Sequence, residues 1–184
     1  MAITKIQSES LNLADTYAFT GTVTGAGGIT NAQLFYHTAG TSLSSSYTLL
    51  PSWSEHNGTK AGSIGSNVSV ASGKFSFSST GIYQIIARTT YYATGSSSSR
   101  YAISQLRVST NAGSSFGYVD ESINNLVDVN SGNNDFTITY NNYILDVDDT
   151  ANIQVAIYAA LENGGNIENY NKATNISFVR LGDT

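Results

Sequence analysis

The sequence predicts an all-β protein, an antiparallel sandwich or jelly roll, and three observations support this fold class. Apolar residues recur with a period of two, which is typical of a half-buried strand and not of a helix. Aromatic strand formers are abundant, with 12 Tyr and 7 Phe in 184 residues. Gly- and Ser-rich clusters such as TGAGG, TAGTS, ATGSSSS and NSGNND separate the apolar stretches. Many short strands joined by such turns favour a sandwich or jelly roll.

Each apolar stretch predicts one strand, and the strands follow one another to the C-terminal end of the chain. They are expected near residues 17–23, 32–37, 47–50, 66–70, 74–77, 82–92, 101–109, 116–119, 136–140, 143–147, 153–161 and 176–181. No stretch has the 3.6-residue period of an amphipathic helix. Residues 30–184 are therefore predicted to form one β domain.

The first 29 residues differ from this pattern and are predicted to be an extended arm or linker. They are polar and weakly hydrophobic, and they end in a cluster of glycines at 25, 27 and 28. One interpretation is a loose tail. The other is a segment that orders against a partner chain. Its anchors would then be Ile3, Ile6, Leu11, Leu13, Tyr17, Phe19 and Val23.

Composition excludes several classes of function. Charged residues make up only 11 % of the chain, against a usual quarter. The formal net charge is -5 and the eight basic residues are dispersed, so no nucleic-acid partner is expected. No apolar run reaches the roughly 18 residues of a membrane helix, so no membrane insertion is expected. The chain has no cysteine, which excludes disulfides and thiol catalysis.

Two predicted strands are apolar on both faces, although a sandwich strand needs only one apolar face. In the strand near 82–92, Tyr83 and Ile85 share one face; the strand 153–161 has a second face of small and aromatic residues. A covered parallel sheet, a ligand cavity or a subunit interface would each explain this. A parallel sheet needs crossover helices, which the sequence does not show, and an interface is the more economical explanation. The predicted interface residues are Ile82, Gln84, Ile86, Arg88, Ala156 and Tyr158.

The spacing Gly73-Lys74-Phe75, five residues, then Gly81-Ile82-Tyr83 resembles the signature of complement C-one-q heads and the wider tumour-necrosis-factor-like (TNF-like) jelly rolls. Three further segments follow in the family's order: NAQLFYHT (31–38), YILDVDDTANIQVAIY (143–158) and TNISFVRLGD (174–183). In the second of these, Asp148 stands where the family usually has Gly and Ala151 where it has a larger residue. The resemblance implies a ten-strand jelly roll and a compact homotrimer, with Gln84, Ile86 and Arg88 toward the threefold axis.

The N-terminal segment ITKIQSESLNLADTYAFTGTVTGAG resembles the lead-in of virion appendage proteins of marine tailed phages. The two resemblances together imply a structural and adhesive virion protein, a homotrimeric head on the particle surface. It would be a fibre tip or a capsid or tail decoration, attached to other virion proteins through residues 1–29 and able to contact a host-surface glycan or receptor. The alternatives are a bacterial surface or spore-coat adhesin and, less favoured, a glycan-degrading tailspike.

No catalytic role is expected, because no nucleophile elbow, zinc-protease motif or phosphate loop is present. Asp146, Asp148 and Asp149 form the densest acidic group. Carboxylates this close could bind calcium, and the alternative is a polar turn in which Asp149 accepts hydrogen bonds from the backbone. The sequence requires no cofactor, and calcium is the one that these aspartates could hold.

Two aromatic residues are candidates for receptor contact. Trp53 lies in the predicted loop LLPSWSEHNG and could be an exposed sugar platform or could plug the end of the sandwich. Tyr170 lies in the polar loop 162–171, where a contact could vary without cost to the fold. His37 is expected to be an ordinary surface or interface histidine.

Overall fold

The protein is an antiparallel two-sheet jelly roll in a computed structural model that describes residues 29–56, 62–94, 99–126, 134–168 and 172–184. The alternating apolar pattern of the sequence forms thirteen strands within these ranges. They are β1 (Asn31–His37), β2 (Ser42–Leu43), β3 (Thr48–Leu49), β4 (Trp53–Glu55), β5 (Val68–Ala71), β6 (Lys74–Phe77), β7 (Gly81–Thr94), β8 (Tyr101–Ser109), β9 (Gly117–Asn125), β10 (Asn134–Val147), β11 (Gln154–Leu161), β12 (Gly165–Ile167) and β13 (Asn175–Gly182).

The strands form two sheets that enclose one core. Sheet A has the order β2-β12-β7-β13-β1-β4, and β10 pairs with the other edge of β7. Sheet B has the order β5-β6-β11-β8-β9, with β3 also paired to β11. Every strand pair in both sheets is antiparallel. The covered parallel sheet is therefore excluded as the reason for the two-faced strands.

The glycines of the GKF and GIY motifs occupy backbone positions that a side chain would not fit. Gly73, in the turn between β5 and β6, has a φ of 80°, and a Cβ there would lie 2.4 Å from the carbonyl oxygen of Leu50. Gly81, at the start of β7, has a φ of 139° and a comparable clash with Gly182. Residues with a Cβ rarely adopt such φ values. The motif thus encodes the close approach of two strand ends to neighbouring backbone.

The aromatic residues of these motifs fill the core between the sheets. Phe75 and Tyr83 are fully buried. The Phe75 ring packs against Phe35 at 5.3 Å, Trp53 at 5.5 Å and Phe178 at 5.0 Å between centroids. Burying one such side chain contributes about 1.5–3 kcal/mol, and edge-to-face contacts add to it. This cluster therefore joins β1, β6 and β13 across the two sheets.

The pairing register places both ends of the described chain at one end of the sandwich. Asn31 pairs with Arg180, and Gly81 pairs with Val147. The opposite end holds the pair Thr94 and Asn134 of sheet A. Strand β7 ends there, and so do β9 and β11, while β8, β10 and β12 begin there. Ile29 therefore enters the sandwich at the end opposite the β7–β8 and β9–β10 connections.

Side chains of β9 hold the free edge of β10. These two strands are edges of different sheets and share no backbone ladder, so β10 presents unpaired backbone groups. Three contacts satisfy them: Ser122 Oγ accepts from Tyr140 N (3.3 Å), Asp120 Oδ2 accepts from Asn142 N (3.1 Å), and Asn124 Nδ2 donates to the Ile138 oxygen (2.8 Å). We call this set of contacts the β9–β10 seam; it closes one side of the sandwich.

The strand predictions are confirmed for most of the described chain and wrong in three respects. The strand predicted at 116–119 is the first part of a longer strand, β9, which continues to Asn125. The two strands predicted at 136–140 and 143–147 are one continuous strand, β10, which pairs with β7 along its whole length. Three short strands, β2, β4 and β12, were not predicted. The strand predicted at 17–23 lies outside the described residues. In the described ranges, no helix is long and apolar enough to cross a membrane.

Candidate functional site

Strand β7 has the two faces that the sequence predicts. Tyr83 and Ile85 are 0 % exposed and lie in the core. Ile86 is 41 % exposed on the opposite face, beside the partly buried Gln84. The predicted division of the β7 side chains between two faces is thus confirmed. The second face is the outer surface of sheet A.

The outer surface of sheet A carries three rows of side chains that cross β10, β7, β13 and β1. The rows are Ile144-Gln84-Val179-Ala32, Asn142-Ile86-Ser177-Leu34 and Tyr140-Arg88-Asn175-Tyr36. Only one of the twelve side chains is charged. Ile144 is 52 % exposed and Tyr140 is 59 % exposed. We call this set the sheet A face; large apolar patches of this kind mark interaction sites.

Arg88, the one charged member of the sheet A face, is partly buried and turned along the sheet. Its Nε donates to the carbonyl oxygen of Ala173 at 2.7 Å, and its Nη2 donates to that of Lys172 at 3.3 Å. These neutral acceptors fix the guanidinium toward the segment that precedes β13. Lys172 Nζ lies at the same side of the face, 4.9 Å from the Tyr36 ring centroid. The rows through Ile86 and Ile144 carry no charged side chain.

Ala156 and Tyr158, which the sequence predicts as interface residues, lie on a different face of the sandwich from Ile86. Both residues lie on β11, in sheet B, with side chains on the face opposite the core residues Val155 and Ile157. The outer faces of sheets A and B point away from each other, because the core lies between them. Ala156 is also fully buried within the single chain. The alternation of side chains along β11 correctly separated its core face from its outer face. It could not show which of the two sheets β11 joins.

Trp53 is not an exposed sugar platform. Its side chain is 8 % exposed, and its Nε1 donates to the carbonyl oxygen of Leu50 at 2.8 Å. The ring packs edge-on against Phe75 and against His37. The indole is therefore a core residue, which the alternative interpretation expected. Tyr170, the other receptor-contact candidate, lies outside the described residues.

The three aspartates considered for calcium do not converge. Asp146 is exposed at the end of β10, and Asp148 lies in the bend that follows. Asp149 instead stabilises the turn, because its carboxylate accepts from Ala151 N at 2.9 Å and Asn152 Nδ2 at 2.7 Å. These hydrogen bonds lower the pKa of Asp149. In the described ranges no group of three His, Cys, Asp or Glu residues could hold a metal ion.

His37 is buried, contrary to the expectation of a surface or interface histidine. It is 0 % exposed in β1, where its Nε2 lies 3.3 Å from Thr41 Oγ1. Burial lowers its pKa to about 4, because desolvation disfavours the charged imidazolium. The ring is therefore neutral at pH 7 and acts as a core side chain.

The sequence did not predict an array of aromatic and basic side chains on the outer face of sheet B. Arg107 lies over the rings of Tyr158, at 4.1 Å, and Tyr47, at 5.0 Å. The Phe116 ring lies 6.2 Å from that of Tyr158, and Lys74 Nζ lies 5.5 Å from the Phe116 centroid. We call these five residues the sheet B ladder. Its members come from β6, β8, β11 and two loops, so no local motif could have revealed it.

The strand order, the two antiparallel sheets and the packed signature residues define a TNF-like jelly-roll sandwich. The structure is similar to murine APRIL at pH 8.5, with a TM-score of 0.59 and 12 % identity over 82 % of this chain and 98 % of that one. It is also similar to Eiger TNF from S. frugiperda, with a TM-score of 0.61 and 15 % identity over 83 % of this chain and 93 % of that one. No family profile matches the sequence, and no curated protein matches it.

Proposed function

We propose that this protein is a homotrimeric structural and adhesive protein of a tailed-phage particle. The observation that best supports a homotrimer is the sheet A face, whose three rows contain twelve side chains and only one charge. A chain with so few charged residues gains most from covering such a surface with another copy of itself, because burial of apolar area drives association.

A closed trimer needs two different surfaces on each subunit, because threefold contacts are heterologous. The second apolar surface lies at the β9–β10 edge of the sandwich. Its exposed members are Ile123 (57 %), Phe136 (57 %) and Ile138 (36 %). This edge on one subunit would cover the β1–β13 side of the next subunit's sheet A face, around Leu34. Three such contacts close a ring and leave sheet B outside.

The arrangement of the chain ends supports a head that projects from a particle. Residues 1–28 join the sandwich at the end that holds Asn31 and Arg180. The β7–β8 and β9–β10 connections leave from the other end, beyond Thr94 and Asn134. In our proposal the arm docks to other virion proteins and the far end faces the host. The similarity of the arm to phage appendage segments supports this role.

Light scattering of the purified chain at micromolar concentration tests the assembly. The expected mass is three times the 19.5 kDa of one chain. Ile86→Asp places a charge at the centre of the sheet A face, where the side chain is already partly exposed, and should give a folded monomer. Ser69→Asp adds the same charge on the exposed face of β5 in sheet B and should leave the trimer intact. A monomeric parent protein would rule out the proposed assembly.

Counting copies per particle tests the virion role and separates its two forms. Quantitative mass spectrometry of purified particles should find the protein, with hundreds of copies for a capsid decoration and a few trimers for a fibre tip. Absence from particles together with presence on a bacterial or spore surface would instead favour the adhesin alternative.

A further inference from the structure

Apart from its β9 edge around Ile123, which the proposed trimer covers, the outer face of sheet B stays exposed, because it lies across the core from the sheet A face. This face is rich in aromatic residues, which come from β8, β9, β11 and two adjoining loops. They are Tyr47, Tyr101, Phe116, Tyr118 and Tyr158. Tyr118 is the most open of them, since 67 % of the residue is exposed. Aromatic surface that a fold does not use for packing is available for a ligand.

The polar groups between these rings are held in place by one another. Gln105, only 4 % exposed, accepts from Arg107 through its Oε1, at 2.7 Å from Nε and 2.5 Å from Nη2. The Gln105 amide donates to the carboxylate of Glu121, which also accepts from the Tyr47 hydroxyl at 2.8 Å. The Glu121 carboxylate and burial together raise the pKa of Tyr47 to about 12. Arg107 is therefore pre-organised on the surface, which lowers the entropic cost of binding.

The two cations of the sheet B ladder form no salt bridge within the described residues. The charge of Arg107 does act on Glu121: hydrogen bonds from Gln105 and Tyr47, and then Arg107, lower the pKa of that carboxyl. The salt bridges of the described residues are Arg100 with Glu162 and Arg180 with Asp183. Lys74 Nζ instead donates to the carbonyl oxygen of Gly113 at 3.0 Å, and Arg107 is bonded to the neutral amide of Gln105. With Glu121 included, the face carries a positive charge on a chain whose net charge is -5. It is thus locally complementary to an anion.

The positions of Tyr118 and Arg107 define what kind of anion would fit. Tyr118 on β9 is paired directly with Arg107 on β8, so the two side chains lie side by side on the same face. An open phenol ring can pack against the apolar face of a sugar. An adjacent guanidinium can bind a carboxylate through charge-assisted hydrogen bonds. A sugar unit that bears a carboxylate would use both groups together.

We propose that the sheet B face, formed by Tyr118 and the sheet B ladder, binds an acidic polysaccharide through its uronic acid units. The inference rests on the adhesive role proposed above and names the ligand class of that role. Tyr118 and Tyr47 would supply ring contacts, Arg107 would bind the carboxylate, and Lys74 would bind a neighbouring acidic unit. Because the three sheet B faces of a trimer point outward, a polymer chain could engage more than one of them and gain avidity.

Binding of the full-length protein to immobilised alginate, a polyuronate, tests the proposal, with neutral dextran and dextran sulfate as comparison polymers. Alginate should bind and dextran should not. Arg107→Gln and Tyr118→Ala should each weaken alginate binding about tenfold or more. Arg100→Gln removes an equal charge from the Glu162 pair and should leave alginate binding unchanged.

Three results would overturn the proposal. The parent protein could fail to bind alginate, or Tyr118→Ala could bind alginate as tightly as the parent does. In the third, the protein binds dextran sulfate, and Arg107→Gln and Arg100→Gln weaken that binding equally. The last would show attraction by net charge only. Adhesion to host cells that protease treatment abolishes and alginate fails to compete would indicate a protein partner instead. Light scattering on each variant separates this proposal from the assembly, since a trimer that has lost alginate binding contradicts only the sheet B site.

Discussion

Gly81 shows how one residue of a sequence motif fixes the geometry of a strand end. Its φ of 139° lies in a region that side chains disfavour, and a Cβ would lie 2.5 Å from the Gly182 oxygen and 2.6 Å from Arg180 Nε. Arg180 is held there because its Nε donates to the Thr80 carbonyl oxygen at 2.8 Å. The glycine is thus required by the closure of β7 on β13, at the end of the sandwich where the arm joins.

Gly81→Ala should destabilise the fold strongly. Strain at this φ and the backbone clash should together lower the free energy of unfolding by about 2–4 kcal/mol. Urea denaturation followed by circular dichroism measures this difference. Gly117→Ala is the control, because a Cβ at Gly117 meets nothing within 4 Å, and it should change stability by less than about 1 kcal/mol. Equal effects of the two substitutions would contradict the account.

His37 should make the stability of the protein depend on pH. Its pKa is about 4 in the folded chain and 6.5 ordinarily, so the unfolded chain binds more protons between these values. The free energy of unfolding should therefore rise with pH from about 4 to 6.5, and about 2–3 kcal/mol should be lost between pH 7 and 4.5. Urea titrations at several pH values measure this slope. His37→Phe should flatten it, whereas an unchanged slope would assign it to other groups.

Strand β10 shows which parts of an element the sequence could predict. The apolar alternation predicted a strand on each side of Asn141-Asn142, but this pair resembles a turn and divided the prediction into two strands. Asn141 is instead fully buried, where Ser104 Oγ donates to its Oδ1 at 2.6 Å and its Nδ2 donates to Asp120 at 3.0 Å. These partners are on β8 and β9, distant in sequence. Hydrogen bonds to distant strands therefore outweigh the turn propensity of Asn141-Asn142. The local sequence pattern holds no information about those bonds.

The same limit explains the short strands and the candidate sites. Strands β2, β4 and β12 have two or three residues each, too few to show a period, and they exist because a neighbouring strand pairs with them. The face of β7 was predictable because it depends on parity alone. The sheet B ladder was not, because Arg107 and its aromatic neighbours meet only after β3, β8 and β11 have paired.

Asp120→Ala tests the contribution of the β9–β10 seam. The substitution removes the acceptor for Asn142 N and leaves the buried amide of Asn141 without that partner. The expected loss is about 2 kcal/mol, since an unsatisfied buried donor costs more than the bond itself contributes. Hydrogen exchange at the Asn142 amide should accelerate beyond the global change. Asp148→Ala, at an exposed position, is the control; equal exchange rates in both variants would show that the seam does not protect β10.

At the scale of the whole molecule, the core cluster of the described residues extends from Phe35 on β1 to Phe178 on β13. The aromatic cluster, the β9–β10 seam and the pairing of β1 with β13 all lie within the described ranges. The sheet A face is also formed by these strands, so both folding and the proposed self-association are expected to be independent of the arm. Attachment to a particle should then be the property that the arm alone supplies.

A chain that begins at residue 29 should therefore fold and assemble like the full-length protein. Its unfolding midpoint in urea should agree with that of the full chain, because the core contacts are unchanged, and light scattering should give three times its own mass. The truncated chain should also bind alginate as the full-length protein does, because the sheet B ladder is intact. It should no longer bind purified particles that lack the protein. Full-length protein is the matched control for that binding. A truncated chain that is monomeric or unfolded would show that the arm is part of the assembly surface, and one that still binds particles would place the docking site on the head.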